Sequence, residues 1–143
     1  MKSYILALAV ALAPLAAAAD SILINRAALP SKDAHGVARV TPLAITDTGA
    51  PSLVVLSLED GDVVPAHASA SGLRYLTVLS GDLSWGDGDT IVVSAEKTYR
   101  PGDMITISAG EPHWLAARNG PAEVQLILLH NEVPVPGVQE QMQ

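Results

Sequence analysis

The chain contains no cysteine and no phenylalanine. Without cysteine it can form no disulfide, offer no thiolate to a metal, use no thiol nucleophile and carry no lipid on an N-terminal Cys. Aromatic residues make up 3% of the sequence, too few for the stacking platforms that hold single-stranded nucleic acid. Basic residues are also scarce, with eight Lys and Arg against fifteen Asp and Glu and a net formal charge of −7. An acidic surface without basic clusters repels phosphate backbones and anionic lipid, so neither nucleic acid nor a membrane surface is an expected partner. No serine sits in a nucleophile elbow, and there is no phosphate-cradling glycine loop.

What is present begins with an export signal. Met1 to Ala19 opens with Lys2, continues through an apolar run from Tyr4 to Ala13 and ends in small residues, Ala16 to Ala19, before Asp20. This is the pattern of a secretory signal peptide. Its apolar part is too short for a stable span, and no other stretch approaches the roughly 20 apolar residues that a span requires. The expected location is therefore periplasmic or secreted. Cleavage would remove Lys2 and take the net charge from −7 to −8. The remaining residues, 20–143, suffice for one domain with a real core and leave no room for a second.

Within that domain, 20–50 mixes short apolar pieces with the turn-rich SKDAHG and TDTGA, and reads as an N-terminal arm carrying one or two strands. From Ser52 onward, short runs rich in Val, Ile, Leu, Thr and Tyr recur between Gly, Asp, Pro and Asn: SLVVLSL, LRYLTVL, DLSW, TIVVSA, MITISA, HWLAA and EVQLILLH. Many short strands with turn signals between them predict an all-β sandwich or barrel. Alternation places Leu56, Leu76, Val78, Ile105, Ile107, Leu126 and Leu128 in its core. No helical stripe is expected outside the signal, and the tail, 131–143, with its two VP pairs, reads as an edge extension or a disordered end.

Two segments carry a pattern, GDVVPAHASASGLRYLTVLSG from Gly61 to Gly81 and PGDMITISAGEPHWLAARN from Pro101 to Asn119. They resemble the two motifs of the cupin family. Gly61, His67 and Gly81 fall on the first motif, with Ser69 standing where the family has a second His and Arg74 where it has a Glu. Gly102, Gly110 and His113 fall on the second, with Ser108 in place of the Pro and Ala117 in place of the Asn. The resemblance covers 51–130 and implies a single jelly-roll barrel, or double-stranded β-helix, in which His67, Ser69, Arg74 and His113 face one internal cavity. It also implies a homodimer. Ile127 and Leu129, apolar but pointing away from the inward set on their strand, agree with such an interface.

These residues leave two functions open. Arg74 inverts the electrostatics of a site that usually holds a metal-binding carboxylate, since a guanidinium has no lone pair and repels a divalent cation. It either clamps the carboxylate of a small anionic or polar ligand, or forms an internal salt bridge to Glu111 or Asp62, or slips by one residue to face solvent. His67 and His113 can begin a site for one divalent transition metal, iron, manganese, nickel, copper or zinc, or can be ordinary hydrogen-bonded histidines with no metal at all. The first function is an exported small-molecule binder. The second is a metal-dependent enzyme of dioxygenase, isomerase or lyase type, with no substrate identified.

Three further residues bear on that choice. If Asn119 and Gly120 make a hairpin turn, His113 pairs with Leu126, and His130 then lies about 13 Å further along the strand, too far to share a metal. Glu111 could supply a carboxylate but reads equally as a solvated turn acid. Asp87 and Asp89 in GDGD read as a hairpin turn, since the other acids of a calcium loop are missing. His35 lies in a polar loop with no matched partner.

Overall fold

The computed structural model describes residues 21–143, so the expected signal peptide, 1–19, lies outside the described residues. Ten strands are present among them: β1 (Lys32–Ala34), β2 (Ala38–Ile45), β3 (Pro51–Leu58), β4 (Val63–His67), β5 (Leu73–Ser80), β6 (Leu83–Asp87), β7 (Lys97–Tyr99), β8 (Met104–Ile107), β9 (His113–Ala116) and β10 (Ala122–Leu129). A six-stranded sheet runs β1-β2-β3-β10-β5-β8 and a four-stranded sheet runs β4-β9-β6-β7. Every pairing is antiparallel. This is the expected all-β architecture, two sheets face to face. The arm residues contribute β1 and β2 to the larger sheet, where Ala38 is fully buried.

Period-two alternation builds the core between the sheets. Leu56 and Leu58 of β3, Leu76 and Val78 of β5, and Val124 of β10 pack against Val64 of β4, Leu83 and Trp85 of β6, and Leu115 of β9. Of the residues expected inside, Leu56, Leu76, Val78 and Ile107 are buried and Ile105 and Leu126 pack against that cluster. Leu128 is half-buried near the end of β10. Pro65 lies in β4, the edge of the smaller sheet, where its missing N–H costs no ladder bond.

Three local expectations fail. Asn119 and Gly120 do not close a hairpin: β9 belongs to the smaller sheet and β10 to the larger, so His113 pairs with His67 and Asp87 rather than with Leu126. The connection crosses between sheets, and the Gly120 amide donates to the Asp60 carboxylate at 2.9 Å. The TIVVSA run forms no strand. Both edges of β6 are already taken, by β9 and β7, so the run cannot pair with the strand that precedes it. It makes a 3-10 turn at Val93–Ala95 with Val92 and Val93 exposed. Glu96, directly after it, fastens this loop to β9: its carboxylate accepts from the Trp114 indole at 2.9 Å and from Arg118 at 2.6 and 3.1 Å. The tail folds into a short helix, α1 (Pro136–Gln141), started by Pro136 at its first position, where a missing N–H is harmless.

Two glycines fit their places for steric reasons. Gly81 has φ +70 in the turn between β5 and β6, and a Cβ there would overlap the Pro121 backbone. Gly86 lies opposite Trp114 across β6 and β9, and a Cβ there would overlap the indole ring, which is 1% exposed and has nowhere to move. Gly81→Ala and Gly86→Ala should each lower stability by about 1–3 kcal/mol or more. Gly137→Ala, with open space and no positive φ, should be neutral or slightly stabilising. Urea midpoints of the three variants decide this; equal midpoints would refute it.

Candidate functional site

The two sheets do not close on each other completely. A cavity of about 440 Å³ remains between them, reached by Ala34, Ala38 and Val40 from the first hairpin and by Leu56, Leu76 and Ile107 from the larger sheet. His67, Ser69, Arg74 and His113 all line it. The four residues singled out by the motif thus meet in one place, His67, Arg74 and His113 on strands and Ser69 in the connection from β4 to β5. His67 and His113 are direct partners across β4 and β9. Arg74 shares the inward face of β5 with Leu76 and Val78, which are buried.

The two imidazoles are oriented by the same device. Nδ1 of His67 lies 2.8 Å from the Pro65 carbonyl, and Nδ1 of His113 lies 2.9 Å from the Glu111 carbonyl. A carbonyl only accepts, so in each ring Nδ1 carries a proton, and in the neutral form of either ring the lone pair is on Nε2. Glu111 therefore acts through its backbone, while its side chain is exposed.

His113 is 5% exposed. Burial pulls its pKa below the ordinary 6.5; the Glu111 carbonyl and Asp87 oppose that shift, and His67 and Arg74 reinforce it. One face of the ring stacks on Trp85, with centroids 4.6 Å apart and planes 12° apart. The Trp85 indole N–H is committed to Asp87, which also accepts from Lys97. Burial alone would raise the Asp87 carboxyl, but these two donors hold it below its usual value. Asp87 thus ends strand β6 and steadies the wall of the cavity, a role the turn reading of GDGD missed.

His35 was also missed. It occupies the β1–β2 turn, where His35 has φ 55 and Gly36 φ 70, the positive values that a tight hairpin turn demands. This turn carries its ring to His67, with centroids 4.3 Å apart, and His67 lies 4.5 Å from His113. Three of the four histidines and Trp85 thereby form one continuous row along the cavity. His130 remains apart, exposed beyond the end of β10, with its amide bonded to Glu132.

Arg74 is half-buried, and desolvation lowers its pKa without removing its charge. Neither Glu111 nor Asp62 pairs with it. Among the described residues no carboxylate lies within ion-pair distance of Arg74. Among the described residues its one hydrogen-bond partner is the Ser71 carbonyl at 3.3 Å. No buried side-chain nitrogen or oxygen lacks a partner among the described residues, so the remaining guanidinium nitrogens are accessible rather than buried, and Arg74 lines the cavity.

Architecture and site together resemble known barrels. No family model matches the sequence, and no curated protein matches it. Solved structures do. A predicted oxalate decarboxylase from Thermotoga maritima aligns with a TM-score of 0.58 at 15% identity, covering 76% of this chain and 100% of its own. A cupin superfamily protein from Desulfitobacterium hafniense aligns at 0.51 and 19%, covering 69% and 84%.

The chain has a cupin fold.

The polyketide cyclase RemF from Streptomyces resistomycificus gives a TM-score of 0.60 at 13% identity, covering 87% of this chain and 94% of its own. At such identities the likeness is one of fold. A cupin barrel is known for holding a metal, and the donor set here does not fit that role well. Among the described residues no three His, Cys, Asp or Glu side chains are grouped around one point. Ser69 is a poor ligand, and the Arg74 cation stands in the same cavity.

The depressed pKa of His113 has a consequence for pH. The folded value lies below the unfolded one, so below about 6.5 the unfolded chain binds more protons, and stability is lost as pH falls. Relative to His113→Asn, the wild type should lose stability between about pH 7 and pH 5. Arg74→Gln, by removing a like charge, should raise the His113 titration midpoint seen by NMR. A His113 midpoint at or above that of an unfolded peptide would contradict both.

Proposed function

We propose that the protein is an exported cupin that holds a small organic anion in its barrel, with the anion's carboxylate on Arg74. The observation carrying this reading is a guanidinium inside the fold that faces a cavity and has no carboxylate partner among the described residues. Desolvating an unpaired cation is unfavourable, and an anionic ligand would offset that cost through charge-assisted, bidentate hydrogen bonds. Ser69 adds a hydroxyl to the same wall, and with Nδ1 of His67 and His113 held by backbone carbonyls, Nε2 is the ring nitrogen left for a ligand.

Those two nitrogens also support a second reading, a low-coordinate metal enzyme. Nδ1 bonded to a backbone carbonyl is the arrangement that orients metal-ligating histidines. A divalent ion there would act as Lewis acid or redox centre, with His67 and His113 as its protein ligands. The homodimer belongs to the proposal as well, supported by Ile127, which is 38% exposed on the outer face of β10.

Calorimetry of untagged protein against a panel of small organic acids tests the first reading. Arg74→Gln should weaken carboxylate binding by about ten- to a hundredfold, and Arg74→Lys should recover part of it. Unchanged affinity in Arg74→Gln for every acid that binds would overturn the anion reading. Elemental analysis of the same protein separates the alternative: stoichiometric metal, lost in the His67→Ala, His113→Ala double variant, would favour the enzyme.

A further inference from the structure

We infer that the ligand is a monocarboxylic acid with a predominantly apolar body, rather than a di- or tricarboxylate, a sugar acid or a two-carbon acid. The inference rests on the anion reading of the same cavity and follows from what else lines it. Arg74 is the sole charged residue on the cavity wall among the described residues; no Asp, Glu or Lys reaches it. His35, partly desolvated, and His113, buried, both titrate below the ordinary imidazole value, so neither adds a cation at neutral pH.

Hydrogen-bond donors are equally few. The Trp85 indole N–H is taken by Asp87, and the Nδ1 protons of His67 and His113 are taken by backbone carbonyls. Arg74, Ser69 and the ring N–H of the exposed His35 are left as the side-chain donors to an incoming acid, and apart from the row of rings the space is walled by aliphatic side chains such as Val64, Leu76, Ile107 and Leu115. A second carboxylate would meet apolar wall or at most one neutral imidazole N–H, and would lose its hydration with little compensation.

Size points the same way. At about 30 Å³ per water, a space of about 440 Å³ holds roughly 15 waters. A two-carbon acid would displace a small part of them and leave the aliphatic wall wet. An apolar body extending from the carboxylate covers that wall and gains about 0.8 kcal/mol for each methylene buried.

A homologous series tests this on untagged full-length mature protein: acetate, butanoate, hexanoate and octanoate, with hexanedioate, hexanamide and gluconate for comparison, by calorimetry on wild type and Arg74→Gln. Affinity should rise about fourfold per added methylene until the cavity is full, with one site per chain. Hexanedioate and gluconate should bind about tenfold or more weakly than hexanoate. Arg74→Gln should bring hexanoate down to about the level of hexanamide and weaken hexanamide far less than hexanoate.

Carboxylate binding that depends on Arg74 but not on chain length, or hexanedioate binding as tightly as hexanoate, would overturn this inference and leave the anion reading standing. Chain-length dependence untouched by Arg74→Gln would overturn the anion reading instead. No binding of any acid at millimolar concentration, by a protein whose circular dichroism and unfolding midpoint show it folded, would overturn both.

Discussion

Strand β5 pleats, and its pleat ties the core to the site. Leu76 and Val78 are 1% and 2% exposed, and alternation forces Arg74 onto the same side. Turning the guanidinium to solvent by a one-residue slip would expose both apolar side chains, at about 1.5–3 kcal/mol each. The strand is also held on both sides, by β10 and by β8, with Arg74 opposite Leu128 and Ile107. An interior cation is thus a by-product of a register that the hydrophobic core enforces. The rest of the cavity is arranged around a charge that cannot leave.

The opposite wall follows a different logic. His67, His113 and Asp87 lie on one rung of the smaller sheet, and the ladder positions them before any side chain interacts. Each histidine is then locked by the carbonyl two residues earlier in its own chain. Such local bonds need no distant partner, so the ring orientations survive changes elsewhere in the barrel. Trp85 completes the wall from behind: its stacking covers one face of His113, and its indole nitrogen is held by Asp87. The result is a rigid row of rings facing a half-buried cation across an aliphatic space.

Much of this was legible in the sequence. The strand runs other than TIVVSA, most of the core positions and the meeting of His67, Ser69, Arg74 and His113 follow from alternation and from the motif frame. What escaped was long-range. Nothing in HWLAARNGPAEVQL shows that its two halves belong to different sheets; Asn-Gly is a hairpin signal, and the Asp60 carboxylate that receives the Gly120 amide is distant in sequence. TIVVSA has the composition of a strand, but both edges of β6, the strand before it, are taken by β9 and β7. His35 could not be assigned because its partner, His67, lies three strands further along the chain, at the end of β4. The pairing of His-Gly in a tight turn was a signal for the backbone conformation alone.

Position 35 combines two demands that no other residue in the cavity has to meet together. The backbone there has a positive φ, which glycine and asparagine adopt easily and which other side chains resist. The cavity, in turn, uses an aromatic ring at that point. Glycine or asparagine would relax the turn and open the row at its outer end; phenylalanine or tyrosine would keep a ring but strain the turn. Histidine meets both demands, being enriched among left-handed residues while carrying a small, flat, polar ring. Relatives of this protein should therefore be able to change the mouth of their barrel through this one position, exchanging ring for turn stability while the two sheets behind it remain as they are.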